Sequence, residues 1–173
     1  YDTLREIAPV VAYPEDAWST SWRDVIRFNA QGLGLEAEGD ALVTELETEI
    51  TEAARQYPEL AGTETMFLTH VDPTDLSTVN FYTANDTRAA FFTDLGLDTP
   101  DAVARASEAG DFSGSISAEQ LDQFDDVELI VTYGDRELVE TLRADPLLSQ
   151  MPAVRNDAIV FLDGNGPMGT AAN

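Results

Sequence analysis

The fold of this chain is decided by the stretch VELIVTYGDRELVETLR, residues 127–143. Residues 127–133 form a near-continuous apolar run, which is typical of a strand that is covered on both faces of a sheet. Residues 136–143 follow with a helical pattern, and a second apolar run comes at residues 158–162. A strand, a helix and another buried strand in this order predict a parallel strand pair within an α/β sheet.

Outward from this stretch, towards the N-terminus, the alternation of strands and helices continues. The apolar patterns predict two strands and two helices, at residues 66–68, 79–82, 86–95 and 117–124. Ser117 is a favourable N-cap for the last of these helices. Between residues 96 and 116 we expect a loop that carries Gly110, Gly114 and Ser115. The sequence therefore predicts an α/β fold with an open, mostly parallel sheet flanked by helices.

Two helices precede the sheet and stand outside the alternation. The first is predicted at residues 20–33 and the second at residues 36–57, where Pro58 ends it. A helix of this second length spans about 30 Å at ~1.5 Å per residue, which is the width of a small domain. Residues 1–16 carry Pro9 and Pro14 and are predicted to be extended.

The chain is strongly acidic. It has 33 acidic and 9 basic residues, a formal net charge of -24, and arginine as its only basic residue type besides one histidine. This charge repels phosphate backbones, so nucleic-acid binding is excluded as a function. Two interpretations remain open: an adaptation of solubility, including solubility at high salt, or attraction of a cation or a basic partner.

Residues suited to catalysis are few. The chain has no cysteine and a single histidine, His70, so thiolate chemistry and a multi-histidine zinc site are excluded. We expect His70 to form hydrogen bonds in a turn. Neither Asp125-Asp126 nor Gly164-Asn165-Gly166 has the context of a catalytic pair or a nucleotide loop. An enzyme is therefore not expected, and no apolar run is long enough to cross a membrane.

Four residues near predicted strand ends are the best candidates for a binding site. Tyr82 and Tyr133 each end a strand, Arg88 lies near the start of the helix after Tyr82, and Arg136 follows Tyr133. Ligands of open α/β sheets bind beyond the carboxyl ends of the strands, so these side chains are expected to converge. Two arginines beside two tyrosines suit an anionic, aromatic ligand. The alternative is that both arginines pair with acids on a very acidic surface.

Short motifs spread over the chain resemble those of the siderophore-type periplasmic binding proteins. The first motif, Tyr1-Asp2-Thr3-Leu4-Arg5-Glu6-Ile7-Ala8-Pro9, is similar to the segment that leaves the N-terminal lobe in that family. The other motifs, which follow in the family's order, are Trp22-Arg23-Asp24, Gly32-Leu33-Gly34, Leu95-Gly96-Leu97, Ile116-Ser117-Ala118-Glu119, Asp145-Pro146-Leu147 and Met151-Pro152-Ala153-Val154-Arg155-Asn156. These motifs are spread over nearly the whole chain. The chain as a whole therefore resembles this family, whose members are binding proteins that serve ABC importers.

The resemblance implies two Rossmann-like lobes joined by one long, rigid helix. Residues 1–16 are then the end of an N-terminal lobe, residues 17–58 a helical connector that includes the long helix, and residues 59–173 the C-terminal Rossmann-like lobe. Most of the N-terminal lobe, and the family's final helices after Met168, are expected to lie outside this sequence. The expected location is extracytoplasmic, either in the periplasm or as a lipoprotein on the cell surface.

The resemblance also implies a ligand, a partner and the residues that meet them. The ligand is a ferric siderophore, carried without a resident cofactor, and the partner is the ABC transporter permease. Arg88 and Arg136 stand where relatives place ligand-binding arginines, and Phe112 and Ser113 lie in the loop where relatives place an aromatic residue or a histidine. Since no histidine stands there, this lobe is not expected to ligate iron. Glu119 corresponds to the family's glutamate that meets an arginine on the transporter; the alternative is a carboxylate that stabilises a helix start.

Other functions stay open at this point. The same binding fold carries haem or cobalamin in neighbouring classes. A flavodoxin-like enzyme or regulatory domain of a salt-adapted organism predicts a phosphate-binding loop after the first strand, where this chain has the acidic segment His70-Val71-Asp72-Pro73-Thr74-Asp75. An adhesion or scaffolding domain without a small ligand is the third alternative.

Overall fold

The computed structural model describes residues 2–12 and 18–162. The chain divides into two compact units, Tyr1–Gln56 and Tyr57–Asn173. The helices of the first unit are α1 (Asp2–Arg5), α2 (Trp22–Leu33) and α3 (Glu36–Arg55). The elements of the second unit are β1 (Thr65–Leu68), β2 (Thr78–Tyr82), α4 (Thr87–Asp94), α5 (Asp101–Glu108), β3 (Ser113–Ser117), β4 (Leu129–Tyr133), α6 (Arg136–Ala144), α7 (Pro152–Arg155) and β5 (Ile159–Leu162).

The first unit is built on α2 and α3, the two helices that the sequence predicts, which pack against each other as an antiparallel hairpin. The Ser21 side chain accepts a hydrogen bond from the Asp24 amide at the start of α2, and Gly34 ends the helix in the left-handed conformation, with φ of 71°. Across the hairpin Arg23 pairs with Glu47 at 2.6 Å. The Arg23 guanidinium also lies 4.3 Å from the ring centroid of Trp22.

The prediction of an extended segment at residues 1–16 is wrong at its start. Residues Asp2–Arg5 form one short helix, and the amides of Ile7 and Ala8 both bond to the Leu4 carbonyl. Pro9 does not oppose this turn because it follows the helix, and a proline restricts only its own residue and the one before it. The part of the prediction that falls on residues 13–16 lies outside the described residues.

The second unit contains a five-stranded mixed sheet in the order β3-β2-β1-β4-β5. The pairs β1–β4 and β4–β5 are parallel, while β2 is antiparallel to both β1 and β3. The strands therefore run in one direction except for β2. This is the predicted α/β sheet, with one reversal that the sequence analysis did not identify.

Alternation along the strands gives the sheet two apolar faces. The larger core contains Met66, Phe81 and Ile130, together with residues from α5, α6 and α7. The smaller core contains Phe67 and Val131, and α4 covers it with Phe92. Because successive strand residues point to opposite faces, Phe67 and Met66 belong to different cores. The smaller core is the one that carries the candidate site.

The predicted loop before residue 116 is wrong. It contains helix α5 and strand β3, which pairs with β2 over five residue pairs and includes Gly114 and Ser115. The helix predicted at residues 117–124 is a 3-10 helix, Ala118–Phe124, with a non-helical residue at Gln120. Ser117 caps it as expected by accepting a hydrogen bond from the Glu119 amide. None of the helices in the described part of the chain is long and apolar enough to cross a bilayer.

Candidate functional site

An aromatic cluster with one arginine lies on the face of the sheet that α4 covers. Phe67 is at its centre, with its ring centroid 5.1 Å from that of Tyr82 and 5.4 Å from that of Tyr133. The Arg88 guanidinium carbon lies 4.4 Å from the Tyr82 ring centroid and 5.6 Å from that of Phe67. Arg88 Nη1 also donates a hydrogen bond of 3.0 Å to the Tyr133 hydroxyl. We call Phe67, Tyr82, Arg88, Phe112 and Tyr133 the aromatic cluster.

Strand register explains why these residues meet. Phe67 is paired with Tyr82 on β2 and with Val131 on β4, and Tyr133 lies two residues beyond Val131. Residues two apart on a strand share a face of the sheet, so Phe67, Tyr82 and Tyr133 all point to the side of α4. Tyr82 and Tyr133 therefore lie close together, because both contact Phe67 and Arg88. The expected edge at the carboxyl ends of parallel strands is wrong, because β2 is antiparallel and the two tyrosines share a face of the sheet instead.

Asp86 positions Arg88. It is the N-cap of α4, and its side chain accepts a hydrogen bond of 2.8 Å from the Arg88 amide. The same carboxylate accepts a second bond of 3.0 Å from Arg88 Nε and a third from Nη2. This is a bidentate pair, which fixes a guanidinium more firmly than a single contact does. The helix start and the orientation of Arg88 thus depend on one aspartate.

The ion pair of Asp86 and Arg88 is largely shielded from water. The Asp86 side chain is 1% exposed and the Arg88 side chain 17% exposed. The hydrogen bonds to Asp86 raise the pKa of Arg88 above its usual value, against the opposing effect of burial. Arg88 is therefore the positively charged partner of this pair.

Arg88 has limited capacity for further hydrogen bonds. A guanidinium carries five N–H donors. Three of those of Arg88 are used by Asp86 and Tyr133. At most two donors remain for a ligand. The rings of Tyr82 and Phe67 already occupy the sides of the guanidinium, so a ligand would meet these donors at its outer edge.

Phe112 and Ser113 adjoin the cluster at the start of β3. The Phe112 ring meets the Tyr82 ring edge-on, with centroids 6.0 Å apart, and Ser113 is paired with Tyr82 in the sheet. Thr83 anchors this corner, because its amide bonds to the Phe112 carbonyl and its hydroxyl to the Asp111 carbonyl. Ser113 is exposed, whereas Phe112 is half-buried. The structure therefore brings together the predicted residues Tyr82, Arg88, Phe112, Ser113 and Tyr133.

Arg136 lies at the start of α6 and has a different partner. Its side chain is 82% exposed, and its guanidinium lies 3.8 Å from the Asp157 carboxylate. Arg143, about two turns further along the same face of α6, contacts the same carboxylate at 3.3 Å. Among the contacts of the described residues, none joins Arg136 to the aromatic cluster. For Arg136 the geometry matches the alternative of an arginine paired with a surface acid.

Glu119, the predicted docking residue, is exposed at the start of the 3-10 helix. Its amide bonds to the Ser117 hydroxyl at 3.3 Å. The neighbouring Ala118 amide bonds to the Ser77 carbonyl, so this corner adjoins the loop that joins β1 to β2. Glu119 is therefore an exposed residue beside that loop.

The loop that joins β1 to β2 does not form a phosphate site. It leads into an antiparallel strand, whereas a phosphate-binding loop leads into the N-terminus of a helix. Asp72 accepts bonds from the hydroxyl and amide of Thr74, and Asp75 accepts the same pair from Ser77; these bonds lower the pKa of both carboxylates. The loop is therefore anionic, which disfavours the flavodoxin-like alternative. The predicted segment Gly164-Asn165-Gly166 lies outside the described residues.

A cavity of about 370 Å³ lies beside this loop, away from the aromatic cluster. His70 lines it together with polar Asn80 and apolar Leu68 and Met151. His70 itself is exposed. No hydrogen bond of the His70 ring is seen among the described residues, so its predicted role in the turn stays a prediction.

Comparison with known proteins decides the family. A sequence model of the periplasmic binding protein family matches residues 1–165. The chain belongs to this family. Its members are solute-binding proteins rather than enzymes, and they act outside the cytoplasm. Comparison with curated protein sequences gave no significant match.

Solved structures of periplasmic binding proteins share the fold. PiaA of Streptococcus pneumoniae TIGR4, crystallised in complex with ferrichrome, is 36% identical with a TM-score of 0.87, and the match covers 99% of this chain and 58% of PiaA. SirA of Staphylococcus aureus is 16% identical with a TM-score of 0.73, covering 95% of this chain and 62% of SirA. The chain thus spans less than two thirds of the length of either relative.

Two members of the site were not predicted from the sequence. The sequence predicts only a short strand at Phe67 and only the start of a helix at Asp86. The signal for Asp86 was present, because an aspartate at an N-cap lies close to the side chain two residues later, here Arg88. Phe67 could not be assigned to this face without knowing the register of β1 against β2 and β4.

Proposed function

We propose that this protein is the extracytoplasmic substrate-binding component of an ABC importer and that it binds a ferric siderophore and delivers it to the permease. Family membership supports a binding role outside the cytoplasm. The likeness to PiaA, which was crystallised with ferrichrome, supports a ferric siderophore as the ligand. The transported iron complex is the cargo of the protein and not a resident cofactor.

The observation that carries the proposal is the aromatic cluster around Arg88. A ferric siderophore is a compact body with oxygen atoms around the metal and an organic backbone outside them. The free edge of the Arg88 guanidinium is suited to donate hydrogen bonds to such oxygens. The rings of Tyr82, Phe112 and Tyr133, all half-buried, offer apolar faces for the backbone of the ligand. Ser113 is placed to add a hydroxyl beside them.

The proposal assigns a role to each part of the chain. Residues 59–173 are the C-terminal, ligand-binding lobe, residues 17–58 are the helical connector, and residues 1–16 end an N-terminal lobe. Glu119 meets a basic residue of the permease. Two observations support this role of Glu119: it is exposed, and it lies next to the loop that contains Asp72 and Asp75. These three carboxylates form a negatively charged surface.

Substitution of Arg88 tests the proposal. In the intact protein we expect Arg88→Ala to weaken binding of ferrichrome about 10- to 100-fold, because hydrogen bonds from a charged group contribute about 1.5–3 kcal/mol. Binding is measured by quenching of intrinsic fluorescence and by calorimetry. Arg105→Ala is the matched control, since Arg105 is exposed on α5 and its guanidinium contacts the Gln123 side chain at 3.4 Å.

The same assay separates the function from the site. If the wild-type protein binds none of a panel of ferric siderophores, the proposed function is wrong. If it binds ferrichrome and Arg88→Ala binds equally well, the ligand lies elsewhere and the site assignment is wrong. Arg136→Ala is included because two expectations differ. The sequence predicts that Arg136 contacts the ligand, whereas its pairing with Asp157 predicts little change in the affinity for ferrichrome.

A further inference from the structure

Asp86 does more than hold Arg88 in place, because it also cancels the charge of Arg88. Asp86 is the anion and Arg88 the cation of the site, and the bidentate bonds keep them in contact. Asp86 is 1% exposed, so water hardly weakens its attraction to Arg88. The two opposite charges balance each other, and the pair presents a net charge close to zero to a ligand. The tyrosine hydroxyls and aromatic rings add dipoles and no formal charge.

The rest of the protein does not restore an attraction for anions. The chain has a formal net charge of -24, so its long-range field repels negative ligands. At physiological salt this field is screened beyond ~8–10 Å, and the local pair decides what the site accepts. A ligand with several negative charges would have to compete with Asp86 for the same guanidinium.

We propose that Asp86 is a specificity-determining positioning residue, which makes the site prefer ferric complexes without net charge over anionic ones. The inference rests on the proposed function and deepens it by naming the charge class of the ligand. An uncharged ferric trihydroxamate needs only hydrogen bonds to its oxygens, and at most two free donors of Arg88 can supply them. An anionic ferric complex would lose its hydration and meet a guanidinium whose charge Asp86 already balances. This preference replaces the anionic, aromatic ligand expected from the arginine and tyrosine positions alone.

The variant Asp86→Asn separates charge from structure. Asparagine is as good an N-cap as aspartate, so α4 keeps its start, while the negative charge and one acceptor of the bidentate pair are lost. Asp135→Asn is the matched control, because Asp135 caps α6 in the same way by accepting a bond of 2.9 Å from the Glu137 amide. Two probes are used with the intact protein: ferrichrome, an uncharged ferric trihydroxamate, and a trianionic ferric tris-catecholate.

The expected result is a change in selectivity. Wild-type protein and Asp135→Asn bind ferrichrome more tightly than the tris-catecholate. In Asp86→Asn the ratio of the two affinities shifts towards the trianion by about tenfold or more, as the gain of one uncompensated charge near the ligand predicts. A merely structural role for Asp86 would weaken both affinities by the same factor, and that result would overturn the inference.

The design remains decisive if Asp86→Asn does not fold. Wild-type protein alone then gives the test, since equal or tighter binding of the trianion than of ferrichrome contradicts the preference. Asp86→Ser, which keeps an N-cap oxygen without charge, provides a second variant for the selectivity ratio. Failure of the proposed function has a different signature, because wild-type protein would then bind neither probe.

Discussion

At the scale of single residues, Glu64 shows what the acidic composition does to stability. Burial raises the pKa of Glu64, and the nearby carboxylates of Asp126, Asp98, Asp101 and Glu128 raise it further. One of its carboxylate oxygens is buried and has no hydrogen-bond partner in the described structure. The folded protein therefore favours the protonated form of Glu64, and the ionised form at neutral pH opposes folding.

Replacement of Glu64 by glutamine should stabilise the protein in a pH-dependent way. Because the folded pKa is raised, the favourable contribution of protonated Glu64 is complete below the unfolded pKa and is lost as the pH rises through the folded value. We expect Glu64→Gln to raise Tm by about 1–3 °C at about pH 7 and to have little effect below about pH 4. Calorimetry at both pH values measures this. Glu140→Gln, at an exposed position of α6, is the control, and an equal gain at both pH values would contradict the explanation.

Residue-level reasoning predicted part of the candidate site. The positions of Tyr82, Arg88 and Tyr133 near predicted strand ends group them, and in the structure Arg88 contacts both tyrosines. Their role in binding stays a prediction. The same rule groups Arg136 with them, but a position near a strand end does not determine where a long, exposed side chain points. Its contact with Asp157 depends on the packing of α6 beside the start of β5, which the sequence does not reveal.

At the scale of elements, α2 and α3 pack closely enough that one glycine is required between them. Gly39 of α3 is buried against Ala30 of α2, and a Cβ placed on Gly39 would overlap the Ala30 methyl group. Glycine inside a helix normally costs roughly 0.5–1 kcal/mol relative to alanine. Here that cost is offset by the close packing of α2 against α3, which the absence of a side chain at Gly39 allows.

The substitution Gly39→Ala should therefore destabilise the hairpin, against the usual sign for a helix interior. We expect the free energy of unfolding to fall by about 1–3 kcal/mol, as at other overpacked sites. Urea unfolding monitored by circular dichroism measures this loss. In the double variant Ala30→Gly, Gly39→Ala, removal of the Ala30 methyl group makes room for the new methyl group at position 39. In the Ala30→Gly background the same Gly39→Ala change should be neutral or stabilising, and a loss of equal size in both backgrounds would show that the methyl contact is not the cause.

The elements that the sequence analysis missed have weak local signals. Strand β3 reads Ser-Gly-Ser-Ile-Ser, which has low intrinsic strand preference, and it exists because β2 pairs with it at five positions. Gly114 fits there because the Phe81 ring occupies the space where a Cβ would stand. The strands with long apolar runs, β4 and β5, and the long helix α3 were predicted well because burial and periodicity are local properties of their own segments.

At the scale of the whole molecule, the acidic charge is the dominant feature. Nine arginines face 33 carboxylates, and the described ion pairs, such as Arg23 with Glu47 and Arg27 with Asp40, leave most acids without a cation. Like charges over a small surface repel one another and oppose the compact state. Salt reduces this repulsion, since the Debye length falls from ~30 Å at ~0.01 M to ~10 Å at ~0.1 M.

The melting temperature is accordingly expected to rise with salt. Between ~0.01 M and ~0.5 M NaCl we expect an increase of several degrees, because mutual repulsion of the carboxylates is screened over this range. Differential scanning calorimetry in NaCl and in KCl measures the effect, and sucrose serves as an uncharged control for general exclusion of a cosolute. Stability that is unchanged, or lower, at the higher salt concentration would show that charge repulsion does not limit this fold.

The position of Trp22 in the first unit has an optical consequence. Both tryptophans of the chain, Trp18 and Trp22, stand in the first compact unit, whereas Tyr57, Tyr82 and Tyr133 belong to the second. Tryptophan emission therefore reports on the first unit alone, whereas tyrosine absorbance, to which Tyr1 and Tyr13 of the first unit also contribute, reports on both units. A single sample followed at both signals reveals whether the two units melt together or one after the other, without any added label.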